Sequence, residues 1–449
     1  MSDPDISSRM REDWNSRARE DAGYYVAFGR REQSDAEFFA TATNIINEIE
    51  AELRRVPAAQ KGSWRALEVG CGPGRLMRPL SRHFLEIHGA DVSDEMTGRA
   101  KENLRDIPNA HLHLTDGVSL QQFADESFDF VYSYAVFQHI PSRDVVMDYL
   151  REIHRVTKTG GLIRLQFNGM AGSEGSYDTW SGTRIGSTDL LDFAERHDLQ
   201  VLALSGVGTQ YTWTTWRKQP VGWFRDRVRA AEELASAPED PPPSARIRRI
   251  TNASGSEPVA PCRGRFASIF LWVEGLPEDA ELHHLRVTVG SSLGSIIYIG
   301  PKEASGLQQV SVILPELEAT GLLPVELLWL GRRISYPATL RVIPPGPSIP
   351  QIISVSDAVN LCAQRIVETR MVKMTLEEVA RPHEMEVRIG GHSVADLELV
   401  CTDPRPQRFE VNFRLPEEVG PGTHVLELRI GRRTLPPVVL NVIAPEAAV

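Results

Sequence analysis

The stretch 66–75, ALEVGCGPGR, constrains the fold more than any other part of the chain. An apolar run is followed by Gly70, Gly72 and Gly74 at alternate positions, with Glu68 just ahead of them. Glycine costs chain entropy, so three within five positions imply backbone that must turn tightly or let a ligand approach closely. The run before them reads as a strand and GRLMRPLSRHF reads as a helix. The loop therefore sits at a helix N-terminus, where unpaired N–H groups face a ligand.

The alternation continues downstream. EIHGADV, AHLHLTD, SFDFVYSYAV and LIRLQFN read as strands, and DEMTGRAKENLRDI, SRDVVMDYLREIHRVT (stopped by KTGG) and STDLLDFAERHD as helices. This βα rhythm predicts a mostly parallel sheet, closed by an antiparallel hairpin of LQVLALSGVG and QYTWTTWRK. Upstream, Ser34 and Glu37 have capping-box spacing and predict one helix from about 35 to 54. The first domain is expected over residues 1–219.

Residues 220–245 predict a short amphipathic helix and a spacer, APEDPPPSAR, because three consecutive prolines cannot continue a helix. Such a spacer predicts that residues 1 to 235 hold a core of their own. Beyond it, short β-rich runs alternate with Pro and Gly. Cys262, Arg265, Val287, Gly290, Val325, Leu328, Gly331, Arg332, Arg333, Pro337, Leu340, Val342 and Ile343 each recur 100 positions later, and ILPE at 313–316 matches RLPE at 414–417 after a one-residue slip. Two tandem β-sandwiches are expected, over 246–346 and 347–449.

The formal net charge of -11 over 449 residues argues against a dedicated nucleic-acid or anionic-membrane face. The opening MSDPDISSRMREDW has no apolar core of signal-peptide type, and no run of about 18 apolar residues occurs. A cytoplasmic protein without a membrane partner is expected. Cys71, Cys262, Cys362 and Cys401 fit neither a disulfide framework nor a CxxC pattern, so reduced thiols and no metal ligands are expected.

Dinucleotide enzymes use G-x-G-x-x-G, whereas the spacing here is G-x-G-x-G, with Asp91 of GADVSDEM 21 positions beyond Gly70. On these residues the chain resembles the class I S-adenosylmethionine-dependent methyltransferases, over about residues 12 to 218. The resemblance implies a Rossmann-like α/β fold, S-adenosylmethionine as cofactor, and a binding site of Glu68, Gly70, Cys71, Gly72, Gly74, Asp91, Val92, Asp116, Gly117 and Tyr134. Asp91 would accept from both ribose hydroxyls, Asp116 from the adenine amino group, and Gly117 would let backbone approach the ring.

Several of these positions carry a second reading. An acid at a strand end, such as Asp116, also serves as a turn former. Tyr134 and Phe137 border the adenosine and methyl site or belong to the core. Gln138 and His139 fall where the family opens towards its acceptor, and His139 is either a catalytic proton acceptor or a hydrogen-bonded histidine at a strand terminus. Trp14, Arg17, Tyr24 and Tyr25 either cover the cofactor or dock their segment on the sheet. Asn168, Met170 and the glycine-rich 169–184 line the acceptor side or form a plain surface loop.

The β units lack a Cys, Trp, Cys pattern and resemble the Ig-like modules found beside bacterial and transcription-factor domains, including the IPT/TIG kind, with GRR in both reading as a shared turn. The functional expectation is methyl transfer to a soluble small-molecule, glycan or peptide acceptor, the Ig-like modules recognising the acceptor or a protein or glycan partner. Without an Asn-Pro-Pro-Tyr type motif, nucleic acid is the less favoured acceptor. A non-catalytic scaffold that binds S-adenosylmethionine is the alternative, and the glycine spacing disfavours a nicotinamide-linked dehydrogenase.

Overall fold

The computed structural model describes residues 4–27, 31–172, 177–236, 242–255, 257–346, 349–359, 364–403 and 407–443. Cys362, residues 237–241 of the spacer and 173–176 of the glycine-rich loop lie outside them. The chain divides into two compact units, one of Met1–Glu20 with Ala42–Pro345 and one of Asp21–Thr41 with Gly346–Val449.

In the first unit, β1 (Arg65–Val69), β2 (Glu86–Asp91), β3 (Ala110–Leu114), β4 (Phe128–Ser133), β5 (Thr157–Phe167), β6 (Leu199–Ser205) and β7 (Thr212–Lys218) lie in the order β3-β2-β1-β4-β5-β7-β6. Pairing is parallel from β3 to β5, and β7 runs antiparallel to both β5 and β6. Each strand sends alternate residues to opposite faces, so Leu67 and Val69 join one apolar core and Ala66 the other. The helix Arg143–Val156 follows its Ser142 cap and buries Val145, Val146, Tyr149, Leu150, Ile153 and Val156, an i, i+4 stripe against the sheet.

Three local expectations shift. The helix after the glycine loop is only Met77–Leu80, followed by a 3-10 turn over Ser81–His83. KTGG does not end a helix but lies inside β5, where Gly160 has φ +85° and the pairing with β4 slips between Phe128 and Phe130. The single helix over 35–54 is two, Asp35–Ala40 and Thr43–Leu53. The capping box forms, Ser34 N–H donating to Glu37 Oε2 at 2.9 Å, but the Thr41 hydroxyl turns back on the Phe38 carbonyl at 2.6 Å and ends the turn.

The first unit also contains the strands Arg246–Asn252, Val259–Pro261, Ser268–Glu274, Leu285–Val289, Ser292–Lys302, Leu307–Ile313, Gly321–Trp329, Arg332–Arg333 and Ala338–Ile343. Ser292–Lys302 meets β6 through the pair Tyr298 and Ala203, and Leu282 N–H donates to Val201 O at 3.0 Å. Leu282 packs against the sheet core and against the β core beyond it. The reason is the exposed backbone of an edge strand, which β6 would otherwise present. Residues beyond 245 thus cover an edge that the spacer alone did not foretell.

The second unit holds a four-stranded sheet, Gln351–Asp357, Met371–Glu377, Arg408–Arg414 and Glu398–Asp403, and a six-stranded one that includes Met385–Ile389, Gly422–Ile430 and Val438–Val442. Val372, Met374 and Leu376 pack with Val387, Ile389, Leu426 and Leu428 in one core. Gly331 and Gly431 occupy hairpin turns with φ +80° and +59°. The pairs Gly321 with Val342 and Gly422 with Val442 differ by one position, the slip seen in ILPE and RLPE.

Candidate functional site

The loop after β1 is built on left-handed backbone: Gly70, Gly72 and Gly74 have φ of +73°, +51° and +80°. A Cβ on Gly70 would lie 2.2 Å from Val136 Cγ2, and one on Gly74 2.9 Å from Leu104 Cδ1. Only glycine fits either position. Gly70 and Cys71 donate their N–H groups to Ala90 O at 2.7 and 3.1 Å, which holds the loop over the end of β2.

Asp91, the last residue of β2, accepts Gly72 N–H through Oδ2 at 2.8 Å and Ser93 N–H through Oδ1 at 2.9 Å. With about four acceptor sites in all, the carboxylate keeps capacity for a further donor such as a hydroxyl. Burial raises its pKa, and the N–H donors of Ser93, Gly72 and Val92 oppose that rise.

Glu68 is buried at the end of β1, with Tyr132 Oη donating to its Oε2 at 2.8 Å. Desolvation pushes its carboxyl up to about 8, against the Tyr132 hydrogen bond. Burial also drives the neighbouring Cys71 thiol upwards, which leaves it a packed, protonated group between loop and sheet.

Asp116 is exposed and its side chain is occupied by its own turn. Oδ1 accepts Val118 N–H at 3.0 Å and Ser119 N–H at 2.8 Å, while Oδ2 accepts the Ser119 hydroxyl at 2.8 Å. Partial burial would raise its pKa, but these donors hold it below the ordinary aspartate value. Gly117, at φ +81°, brings its backbone so close that a Cβ would sit 2.7 Å from Val92 Cγ2 and 3.3 Å from Met10 Cε.

Past β4, Ala135 has φ +57°, a strained conformation for a residue with a side chain, and its N–H donates to Gln166 Oε1 at 2.9 Å. Gln166 in turn donates to Gln138 Oε1 at 3.1 Å. Tyr134 stacks on Trp213, rings 5.5 Å apart and 3° from parallel, with the Arg75 guanidinium 5.8 Å from its centroid. Phe137 is buried in the core, stacked on Phe167 at 5.1 Å.

His139 is buried between Trp14, edge-on at 5.3 Å, and Trp180 at 5.5 Å. Desolvation pushes its pKa down to about 4, so the ring is neutral. Nδ1 lies 2.9 Å from Trp180 O, an acceptor, and Nε2 lies 3.2 Å from Gln138 Nε2, a donor. Nδ1 therefore carries the proton and Nε2 accepts from the amide. Asn168 accepts Met170 N–H at 3.2 Å in a turn of its own after β5.

The part of the first helix that belongs to this unit lies across the carboxyl ends of β2 and β3. Arg11 donates to Val92 O at 3.0 Å and to Thr115 O at 2.7 Å, Ser7 to Asp116 O, and Asn15 to Asp94 at 2.7 Å. Asn15 Oδ1 also accepts the Ser93 hydroxyl at 2.6 Å. Arg17 reaches Thr179 and stands 4.7 Å from the Trp14 ring. A cavity of about 450 Å³ opens among Ser7, Arg11, Asn15, Arg19 and Asp116. Tyr24 and Tyr25 belong to the second unit, where Tyr24 Oη donates to Val359 O at 2.9 Å. Arg11 and Asn15 carried no motif; only helical spacing along 4–20 brings them to one edge.

The glycine cradle, the strand-end carboxylate of Asp91 and the close approach at Gly117 leave room for an adenosyl group. Residues 67–165 match the family described as methyltransferase domain. The chain is 31% identical over 113 residues to phosphoethanolamine N-methyltransferase 2 of Caenorhabditis elegans, covering 24% of this chain and 25% of that one. It is 36% identical over 100 residues to phosphatidylethanolamine N-methyltransferase of Cereibacter sphaeroides, covering 22% and 47%. The chain thus spans less than half the length of these relatives. Among solved structures, magnesium protoporphyrin IX methyltransferase of Synechocystis with bound cofactor aligns at 14% identity and TM-score 0.36, over 49% of this chain and 99% of that one. Residues 67–165 thus carry the match to the methyltransferase-domain family on a Rossmann-like sheet, and S-adenosylmethionine is the cofactor.

Proposed function

We propose that this chain transfers a methyl group from S-adenosylmethionine to a soluble acceptor, with residues 1–219 as the catalytic domain, 220–245 as helix and linker, and 246–346 and 347–449 as tandem Ig-like modules for acceptor or partner recognition. The observation that carries the reading is Asp91, whose Oδ2 braces the glycine loop through Gly72 N–H while Oδ1 accepts Ser93 N–H, and whose carboxylate keeps acceptor capacity. When bound, S-adenosylmethionine supplies a methyl group already activated on a sulfonium for in-line displacement.

The chain's own residues supply placement and exclusion of water. The side-chain-free glycine loop lets the sugar end approach and Asp91 holds it, Gly117 and Val92 border the base, Tyr134 flanks it, and Glu68 ties the end of β1 to β4 through the Tyr132 hydroxyl. His139, neutral and shared between Trp180 O and Gln138, positions the loop at 180 as it stands, and would accept a proton only after Gln138 turns away. That occupied ring is the observation favouring the second reading, a non-catalytic cofactor-binding scaffold.

The free thiols of Cys71, Cys262 and Cys401 support a reducing, cytoplasmic setting. Among the described residues no helix is long and apolar enough to cross a membrane. Calorimetric titration with S-adenosylmethionine, S-adenosylhomocysteine and NAD, with Gly72→Arg as control, tests the cofactor site. Transfer of labelled methyl to a panel that includes phosphoethanolamine separates enzyme from scaffold: heat without transfer to any acceptor favours the scaffold, and heat from NAD alone ends both readings.

A further inference from the structure

We propose that Glu86, His88 and His111 form a binding site for one first-row divalent metal ion of the zinc class, on the open edge of the parallel sheet. β3 is the terminal strand, and in its register with β2 His88 stands directly beside His111 on one face, with Glu86 two residues before His88 on that same face. One donor atom from each of the three lies within 4.8 Å of the others. Two imidazoles and a carboxylate form a donor set that suits zinc and its neighbours, and three protein ligands leave positions open for water.

The hydrogen bonds show which imidazole nitrogen faces the cation position. Arg65 Nη2, which can only donate, faces His88 Nε2 at 3.3 Å, and in the tautomer that accepts from it Nε2 carries a lone pair. His88 Nδ1 then donates to His113 Nε2 at 2.9 Å, the supporting contact that orients a metal-binding imidazole through its far nitrogen. In that tautomer His88 Nε2 and Glu86 Oε2, 3.2 Å apart, both present lone pairs, whereas in the other Nε2–H donates to Glu86. What holds them together is the Arg65 guanidinium, whose Nε also donates to Glu86 Oε2 at 2.7 Å. Two lone pairs therefore converge on a single cation, and His111, exposed and with its ring 4.9 Å from that of His88, offers the third donor from the solvent side. An ordinary ion pair of Arg65 with Glu86 would need neither imidazole. Arg65 is a rival cation for the same donors, and a metal would displace it towards solvent.

The full chain, freed of metal by chelation and of any affinity tag, should be titrated with zinc chloride by calorimetry and with cobalt chloride by visible absorption. One ion per chain is expected, with ligand-field bands of a low-symmetry nitrogen and oxygen site. His111→Gln, at an exposed position that leaves the fold intact, should weaken zinc by at least about tenfold while leaving the heat of S-adenosylmethionine unchanged. Arg65→Met, which removes the rival guanidinium that stands 5.4 Å from the Phe128 ring centre, should tighten it. Absence of binding in the parent chain, equal binding by parent and His111→Gln, or weaker binding by a folded Arg65→Met overturns the proposal.

Discussion

Asp91 Oδ2 accepts the backbone N–H of Gly72 at 2.8 Å, tying the last residue of β2 to the middle of the glycine loop. The carboxylate is thus both brace and binding group. Asp91→Ala should weaken S-adenosylmethionine by at least about tenfold, since hydrogen bonds to a charged group contribute about 1.5–3 kcal/mol each. Asp91→Asn, which keeps one acceptor oxygen, should fall between the two. Calorimetry measures the series, and equal affinity for all three would remove Asp91 from the site.

Gly70→Ala should destabilise the first unit by at least about 2 kcal/mol, because φ +73° disfavours a side chain and Val136 Cγ2 stands 2.2 Å from the new carbon. Adding Val136→Ala should recover only part of the loss, as the backbone strain remains. Thermal melts of the single and double variants separate the two costs.

Glu68 gives the fold a pH dependence. Its carboxyl is raised from 4.5 to about 8 in the folded chain by burial, so between those values the native state binds more protons than the unfolded one. Stability is fully present below the lower value and declines as pH rises through the upper, by at most about 1.4 kcal/mol per pH unit. Denaturant midpoints across this window should fall for the parent chain and fall less for Glu68→Gln, which stays neutral. Parallel slopes would show that Glu68 is ionised throughout.

His139, with its pKa near 4, is neutral throughout the physiological range. The pH profile of methyl transfer should therefore show no limb near the ordinary histidine value of about 6.5 that vanishes in His139→Gln. Such a limb, present in the parent and absent in the variant, would make His139 a titrating base.

A chain ending after Ala235 should melt at lower temperature than the full chain's first unit, or aggregate, because it uncovers the β6 edge at Val201 and Ala203 and strips Leu282 from the sheet core. Equal melting temperatures would mean that the residues beyond 245 merely rest on a self-sufficient sheet, as the proline-rich spacer suggests.

What the amino-acid order determined by itself was local and periodic. Alternating strands and helices, the left-handed glycine loop, the Ser34 and Glu37 cap and the strand-end acid Asp91 depend on neighbours a few residues away, and each is legible in short windows. What only the tertiary structure decided were meetings between distant segments. Arg11 and Asn15 reach the ends of β2 and β3, Gln166 donates to Gln138, and Trp180 O accepts from His139. The join of β6 to Ser292–Lys302 and the convergence of Glu86, His88 and His111 belong to the same class. The physical reason is that hydrogen bonding, desolvation and edge pairing act on groups close in space, and their partners' positions along the chain leave no periodic trace.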